Sequence, residues 1–282
     1  MAGKRAQQAE QDPQAEDAPD AAHADAGEAL KPGDGYVQSF ARGLEVLRSF
    51  GAQAPAQTLS EAAQRAGLTR AGARRILLTL QTLGYVEQDG RQFRLTPKVM
   101  ELGFAYLSAQ PWWHLAQPLM EELTQQLKQS TSAAVLDGAD IVYVLRVPME
   151  KIMSINLGVG SRLPAHCTSM GRVLLAGLAE EQREARVGTL VLEPLTPRTI
   201  TDPEKLLATL SQVRRQGYAL VNEELQLGLM SLAVPIKDRG GRVMAAINVS
   251  SPAQRQTAAQ MQKACLPALQ AVAERISAML PR

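Results

Sequence analysis

The sequence predicts an α+β protein built as an N-terminal winged helix-turn-helix, a linker helix and a larger C-terminal mixed sheet covered by helices. Three observations predict it. The stretch TLSEAAQRAGLTRAGARRILLTLQTLGYVEQDGRQFRL, residues 58–95, reads as helix, tight turn, helix and two-stranded ribbon. The formal net charge of +2 is unevenly spread: residues 1–35 hold three basic and eight acidic side chains, residues 36–98 hold nine and four, and residues 99–282 hold 18 and 16. After Pro111, strand-like apolar runs alternate with amphipathic helical ones, the pattern of helices packed on a sheet.

Residues 1–35 are rich in Ala, Gln, Asp, Glu, Pro and Gly and almost devoid of large apolar side chains. Such a segment cannot bury enough surface to offset its ordering entropy, so it reads as a disordered acidic tail. From Tyr36 the pattern changes. Ser39 can cap a helix with Phe40, Leu44, Leu47 and Phe50 on one stripe, stopped at Gly51. Ser60 can cap the next short helix, with Glu61 in its first turn where the helix dipole favours an acid. Gly67 ends it, and Thr69 can cap a second helix that runs to about Leu83 and stops at Gly84. On that helix Ala73, Ile76, Leu77, Leu80 and Leu83 share one face. Arg70, Arg74 and Arg75 fall away from it, near the helix start.

Tyr85–Glu87 and Gln92–Leu95 form a ribbon across an Asp89-Gly90 turn, with Arg91 and Arg94 on it. Two short helices at a steep angle with a shared apolar core can place the second in the major groove, its first residues at the base edges. Guanidinium groups suit that role, because they fork onto guanine acceptors or phosphate oxygens. Ser60, Thr69, Arg70, Ala71, Arg74 and Arg75, with Arg91 and Arg94 on the ribbon, are therefore the candidate contacts to double-stranded DNA. The competing reading is an ordinary helical pair with a solvated basic face. Gly72, inside the recognition helix, costs about 1 kcal/mol relative to alanine; close approach to DNA or to the neighbouring helix are the two accounts.

Thr96-Pro97 supplies a cap and an N1 proline for a linker helix over 97–110. Its apolar set (Met100, Leu102, Phe104, Leu107) is broader than one face needs. Packing on both domains or on a second subunit explains that, as does burial inside one domain. From 111 the larger domain begins. Residues 112–129 read as a helix that must accommodate Pro118. Ala133–Leu136 and Ile141–Val147 pair around Gly138-Ala139-Asp140, and Met153–Leu157 reads as a third strand. Gly158 and Gly160 open an irregular loop, RLPAHC, leading into the helix TSMGRVLLAGL. Helical stretches at Glu180–Val187 and Glu204–Arg215 follow, separated by a proline-rich loop. Strands at Tyr218–Asn222, Leu229–Ile236 and Arg242–Ser250 come next, and a long helix over 257–280, kinked at Pro267, closes the chain.

The domain order and the motifs FARGLEVLRSF, LSEAAQRAGLTRAGARRILLTLQTLGYV, RLPAHCTSMGRVLLAGL, YALVNEELQLGLMSLAVPI and VMAAINVSSP resemble the IclR family of bacterial transcriptional regulators over residues 36–282. The resemblance implies a winged helix-turn-helix over 36–96 and an effector-binding domain related to GAF domains over 111–282. It also implies self-association as dimers, often dimers of dimers, on palindromic operators. INLGVGSRLPAHCTSMGRVLLA is most similar to the regulators of β-ketoadipate and aromatic-acid pathways. Many relatives carry Gly-Lys where this chain has Gly171-Arg172, a departure that agrees with this subgroup. Protocatechuate, 4-hydroxybenzoate and β-ketoadipate are the implied effectors; a different carboxylate pathway is the alternative.

The residues point the same way. Thr168, Ser169, Met170 and Gly171 start an apolar helix directly after an irregular loop. A helix start offers unpaired N–H groups and a positive dipole end to a carboxylate. Cys167 and Met170 would give a soft apolar wall. The competing reading makes Thr168 a simple helix cap and fills the pocket with side chains. Arg146, Asn156, Glu224, Ser231 and Ser250 can complete the site from the sheet side, and Arg162 can pair with an acid or with Glu224. His166 and Cys167, leading into that helix, are candidate effector contacts but a poor nucleophile pair, since neighbours in an extended segment face opposite ways. There is no GxSxG elbow, dinucleotide fingerprint, HExxH or P-loop, so the expectation is no enzyme, no catalytic residue and no cofactor. Two cysteines, Cys167 and Cys265, without metal spacing predict no metal site and a reducing cytoplasm. No apolar run approaches membrane-spanning length, and no signal-peptide core opens the chain.

Overall fold

The computed structural model describes residues 35–109, 112–149 and 157–280. The expected acidic tail and all but Leu157 of the expected Met153–Leu157 strand lie outside the described residues. Two compact units divide between Val99 and Met100, so the helix read as a linker is grouped with the second unit.

In the first unit, α1 (Gln38–Arg48), α2 (Leu59–Arg65) and α3 (Arg70–Thr82) pack on a small sheet. Its strands β1 (Ala56–Thr58), β2 (Val86–Asp89) and β3 (Gln92–Leu95) run antiparallel in the order β1-β3-β2. Val46, Phe50, Ala62, Leu77, Leu80, Val86 and Phe93 form the core. The wing thus has a third strand that the sequence reading lacks: Ala56, Gln57 and Thr58 lie opposite Arg94, Phe93 and Gln92. Three residues carry too little alternation to be read as a strand. The hairpin turn also sits one residue later than expected, at Gly90-Arg91, because Asp89 pairs with Gln92.

Two caps are corrected. The cap of α2 is Thr58, not Ser60: the Thr58 hydroxyl accepts the Glu61 amide, and the Glu61 carboxylate accepts the Thr58 amide at 2.7 Å. Together these make a capping box. Ser60 stands inside the helix, exposed. At α1, Ser39 is likewise inside the helix; Val37 holds the cap position without a side-chain bond. Nor is the α1 stripe wholly internal, since Phe40 is 67% and Leu44 40% exposed. After β3, Thr96 donates its hydroxyl to the Gly84 carbonyl and accepts the Lys98 amide. Pro97–Val99 forms one 3₁₀ turn.

The second unit starts with α4 (Met100–Ser108), whose Met100, Leu102, Phe104 and Tyr106 are exposed. Burial of this helix inside one domain is therefore not what the chain adopts. Next come α5 (Trp112–Leu127), β4 (Ser130–Asp137), β5 (Asp140–Val147) and β6 (Arg162–Pro164). The segment RLPAHC is thus not wholly irregular, since its first three residues pair with β5 as an edge strand. Then follow α6 (Ser169–Gly177), α7 (Glu180–Thr189), α8 (Pro203–Gln216), β7 (Ala219–Asn222), β8 (Leu229–Lys237), β9 (Val243–Pro252) and α9 (Ala258–Met279). Pro118 and Pro267 lie inside the continuous helices α5 and α9.

Among the described residues six strands run in the order β6-β5-β4-β9-β8-β7. Every pairing among them is antiparallel, where a mixed sheet is expected from the sequence. The α+β class stands; strand direction is set by which strands become neighbours, and no local pattern encodes that. Alternation along the strands sends Ala133, Met230, Leu232, Ile247 and Val249 to one face, under α5 and α9. Ala134, Tyr143, Ala233 and Ala246 face the other way, under α6, α7 and α8.

Candidate functional site

Thr69 caps α3, its hydroxyl accepting the Gly72 amide at 3.2 Å. Ala73, Leu77 and Leu80 are buried, so helical geometry turns Arg70, Ala71, Arg74 and Arg75 to solvent. Arg91 and Arg94 are exposed on the wing. Among the described residues, Arg70, Arg74, Arg75 and Arg91 have no ion-pair partner, while Arg94 lies 3.7 Å from Asp89. The first unit thus displays a set of unneutralised guanidinium groups. Gly72 makes no close approach to the neighbouring helix: a Cβ there would meet only the Thr69 hydroxyl, at 3.2 Å, pressing on the helix cap. Sequence reading missed Lys98, whose ammonium donates to the Leu83 carbonyl at 3.0 Å and sits over the Tyr85 ring, fastening the end of α3 to the wing.

In the second unit, α6 begins as the sequence predicts. Thr168 accepts the Gly171 amide and donates to the Pro164 carbonyl. Beneath the helix start lies a cavity of about 20 Å³. Cys167, Thr168, Ser169 and Met170 form its α6 side, and Val221, Leu225 and Leu229 close it. Its floor is two rows of the sheet. Ser250 is paired with Ser130 on one side and Ser231 on the other, and Asn248 is paired with Ser132, itself opposite Arg146. Arg146 reaches the Ser132 hydroxyl at 3.4 Å. Of these, Ser130, Arg146, Ser231, Asn248 and Ser250 line the cavity. Within it, Ser169 Oγ and Asn248 Oδ1 are buried with no partner among the described residues. Buried polar atoms are normally satisfied, so a guest or a water has a hydroxyl and an amide oxygen to meet here. Tyr143 adds a phenol pushed up to about 12 by burial, hence a protonated donor.

The structure thus brings together Arg146, Cys167, Thr168, Ser169, Met170, Ser231 and Ser250. Asn156 lies outside the described residues. Four other expected residues serve elsewhere. Arg162 is exposed and holds Asp137 at 2.6 Å and Asp140 at 3.1 Å across the β4–β5 turn. Glu224 is buried against Arg172, not Arg162. His166 meets the Glu193 carbonyl at 3.3 Å, away from the cavity, and burial holds it below its ordinary value. Gly171 does not line the cavity; a Cβ there would overlap the Ala165 backbone, so it allows the lead-in to cross the helix. Burial pushes the Cys167 thiol up to about 12, leaving no nucleophile at neutral pH.

Ser130, Tyr143, Asn248, Val221, Leu225 and Leu229 are lining residues that sequence reading missed. A signal was present for one of them: Asn248 interrupts the apolar run of β9, Val-Met-Ala-Ala-Ile-Asn-Val, at a position on the α6 face.

Comparison with known proteins agrees with this architecture. The profile of the IclR helix-turn-helix domain matches residues 39–90, and that of the bacterial transcriptional regulator IclR C-terminal domain matches 104–278. The Pca regulon regulatory protein of Pseudomonas putida is 43% identical over 235 residues, covering 83% of this chain and 81% of that protein. The p-hydroxybenzoate hydroxylase transcriptional activator of Acinetobacter baylyi is 36% identical over 239 residues, covering 83% and 88%. Among solved structures, an IclR homolog from Microbacterium hydrocarbonoxydans complexed with 4-hydroxybenzoate superposes with a TM-score of 0.75 at 29% identity, covering 85% of this chain and 98% of that one. With a winged helix-turn-helix and the C-terminal domain matched in order, the chain belongs to the IclR family of DNA-binding bacterial transcriptional regulators, which are not enzymes.

Proposed function

We propose that this regulator binds operator DNA through α3 and the wing, and that a small aromatic acid or β-ketoadipate-like metabolite in the cavity beneath α6 controls that binding. One observation carries the effector half. A polar floor of Arg146, Ser130, Ser231, Ser250 and Asn248 faces a Ser169 hydroxyl at a helix start that has no partner among the described residues. A guanidinium and N-terminal helix amides suit a carboxylate, and the opposed apolar wall of Met170, Leu225 and Leu229 suits a ring or short chain. The names of the relatives favour 4-hydroxybenzoate.

For the DNA half, Arg70, Arg74 and Arg75 take base edges or phosphates, while Arg91 and Arg94 take the backbone or minor groove. The exposed apolar side chains Phe40 and Leu44 of α1, with Met100, Leu102 and Phe104 of α4, support assembly as a homodimer, as two half-sites require. Light scattering reads that mass directly. The effector is tested by thermal shift against 4-hydroxybenzoate, protocatechuate and β-ketoadipate. An acid at 100 times its dissociation constant adds about 2.7 kcal/mol to stability and raises the melting temperature. No response from any of the three overturns the effector assignment and leaves the family membership intact.

A further inference from the structure

The cavity has two walls far apart in sequence, the α6 start and the turn 223–228 that supplies Leu225. One ion pair behind the cavity joins them. Arg172 donates through Nη1 to Glu224 Oε1 at 2.7 Å and through Nη2 to Oε2, a two-pronged contact between buried residues. The same guanidinium donates through Nε to the His166 carbonyl at 3.0 Å, so it also fixes the lead-in to α6. Glu224 in turn collects a third segment. Its carbonyl accepts the Thr199 hydroxyl at 2.6 Å, its Oε2 accepts the Ile200 amide at 3.3 Å, and the Thr196 hydroxyl donates to the adjacent Glu223 carbonyl at 2.7 Å.

Glu223 completes the tie. It holds a left-handed backbone, with φ of +62°, that an L-residue adopts only under constraint. Its carboxylate accepts the Gly228 amide at 2.7 Å and meets Arg198 at 2.5 Å. Three stretches of chain, 164–172, 196–200 and 223–228, are thus tied at one buried point. Neither Arg172 nor Glu224 lines the cavity.

A cavity of about 20 Å³ has room for the centre of one water and not for a benzoate. A guest of that size therefore enters only if the walls part, and the tie resists that. We propose that Arg172 and Glu224 are positioning residues for effector binding: a buried latch that holds the 196–200 strap and the 223–228 turn onto α6. It sets effector affinity without touching the effector. This rests on the effector reading above for the ligand, but not for the latch itself.

The test has two arms, both on the full chain. In ligand-free protein, amide hydrogen exchange is measured for Glu224→Gln and Arg172→Lys. The latch requires exchange at least tenfold faster in all three tied stretches together, with α9 unchanged; Arg162→Ala, a control for the loss of exposed ion pairs, speeds none of them. Acceleration confined to 223–228, or none, overturns the proposal. Should Glu224→Gln fail to fold, Thr199→Val, which removes the hydroxyl that donates to the Glu224 carbonyl and accepts the Thr196 amide within the strap, must speed 196–200 and 223–228 together, or the proposal falls. In the second arm, titration calorimetry with 4-hydroxybenzoate and protocatechuate compares the variants with the unaltered protein. The latch predicts affinity weakened at least tenfold in Glu224→Gln and partly retained in Arg172→Lys, with ligand-free operator affinity within twofold. A lowered melting temperature at unchanged affinity would reduce the pair to a structural role. If the unaltered protein binds neither acid, the effector reading fails while the exchange arm still decides the latch.

Discussion

Asn248 on β9 stands directly opposite Ser132 on β4, and its side-chain oxygen is buried without a partner among the described residues. Beside this pair Arg146 reaches Ser132, so a guanidinium and an unsatisfied amide oxygen share one end of the cavity floor. Removing a hydrogen bond to a charged group costs about 1.5–3 kcal/mol, roughly 10- to 150-fold in affinity. Arg146→Ala should weaken 4-hydroxybenzoate binding by that factor in calorimetry and leave ligand-free operator binding as it was. An unchanged dissociation constant would place the carboxylate elsewhere.

Gly171 is required by packing. Any Cβ there meets the Ala165 backbone, which has no flexible end to yield. Gly171→Ala should therefore lose about 1–3 kcal/mol or more by overpacking. That corresponds to a fall in melting temperature of about 2–4 °C per kcal/mol for a domain of this size. A differential-scanning trace that coincides with the unaltered protein would refute the close approach.

On the DNA side, base-edge and phosphate contacts leave different signatures. Arg74→Ala should cost about 1–3 kcal/mol on a duplex selected by the protein and relax selectivity at one position. Arg91→Ala should weaken all duplexes alike and lower the salt slope by about 1. Gel-shift titrations at several salt concentrations separate the two; equal effects on selected and random duplexes for Arg74→Ala would move it to the backbone class.

The capping box of α2 makes the helix-turn-helix sensitive to acid. The Thr58 amide and hydroxyl hold the Glu61 carboxyl below its ordinary value of 4.5. A carboxylate lowered by folding contributes stability that is complete above its unfolded value and lost as pH falls through the folded one. The stability difference between the unaltered protein and Glu61→Gln should therefore be largest at neutral pH and shrink as pH drops below 4.5. Denaturation followed at a series of pH values checks this; a constant difference would sink it. Thr58→Ala should cost about 1 kcal/mol at neutral pH, whereas Ser60→Ala, at an exposed helical position, should be near neutral.

What local physics can fix is legible along the chain. Glycine stops at Gly67 and Gly84, the cap at Thr69, and three- and four-residue spacing on α3 placed the helices and turned Arg70, Arg74 and Arg75 outward. Each of these signals acts within one turn of chain, so it is legible without neighbours. The tertiary structure alone decided what depends on residues far apart meeting. Thr58 displaced Ser60 as a cap because the chain enters α2 from a third wing strand, whose partner β3 lies more than thirty residues on. Glu224 went to Arg172 and not Arg162, and Ser130, Ser231, Ser250 and Asn248 became one floor, because strand register aligned them. Register is a property of the assembled sheet: a shift of one residue turns every side chain to the other face, and no single strand carries that information.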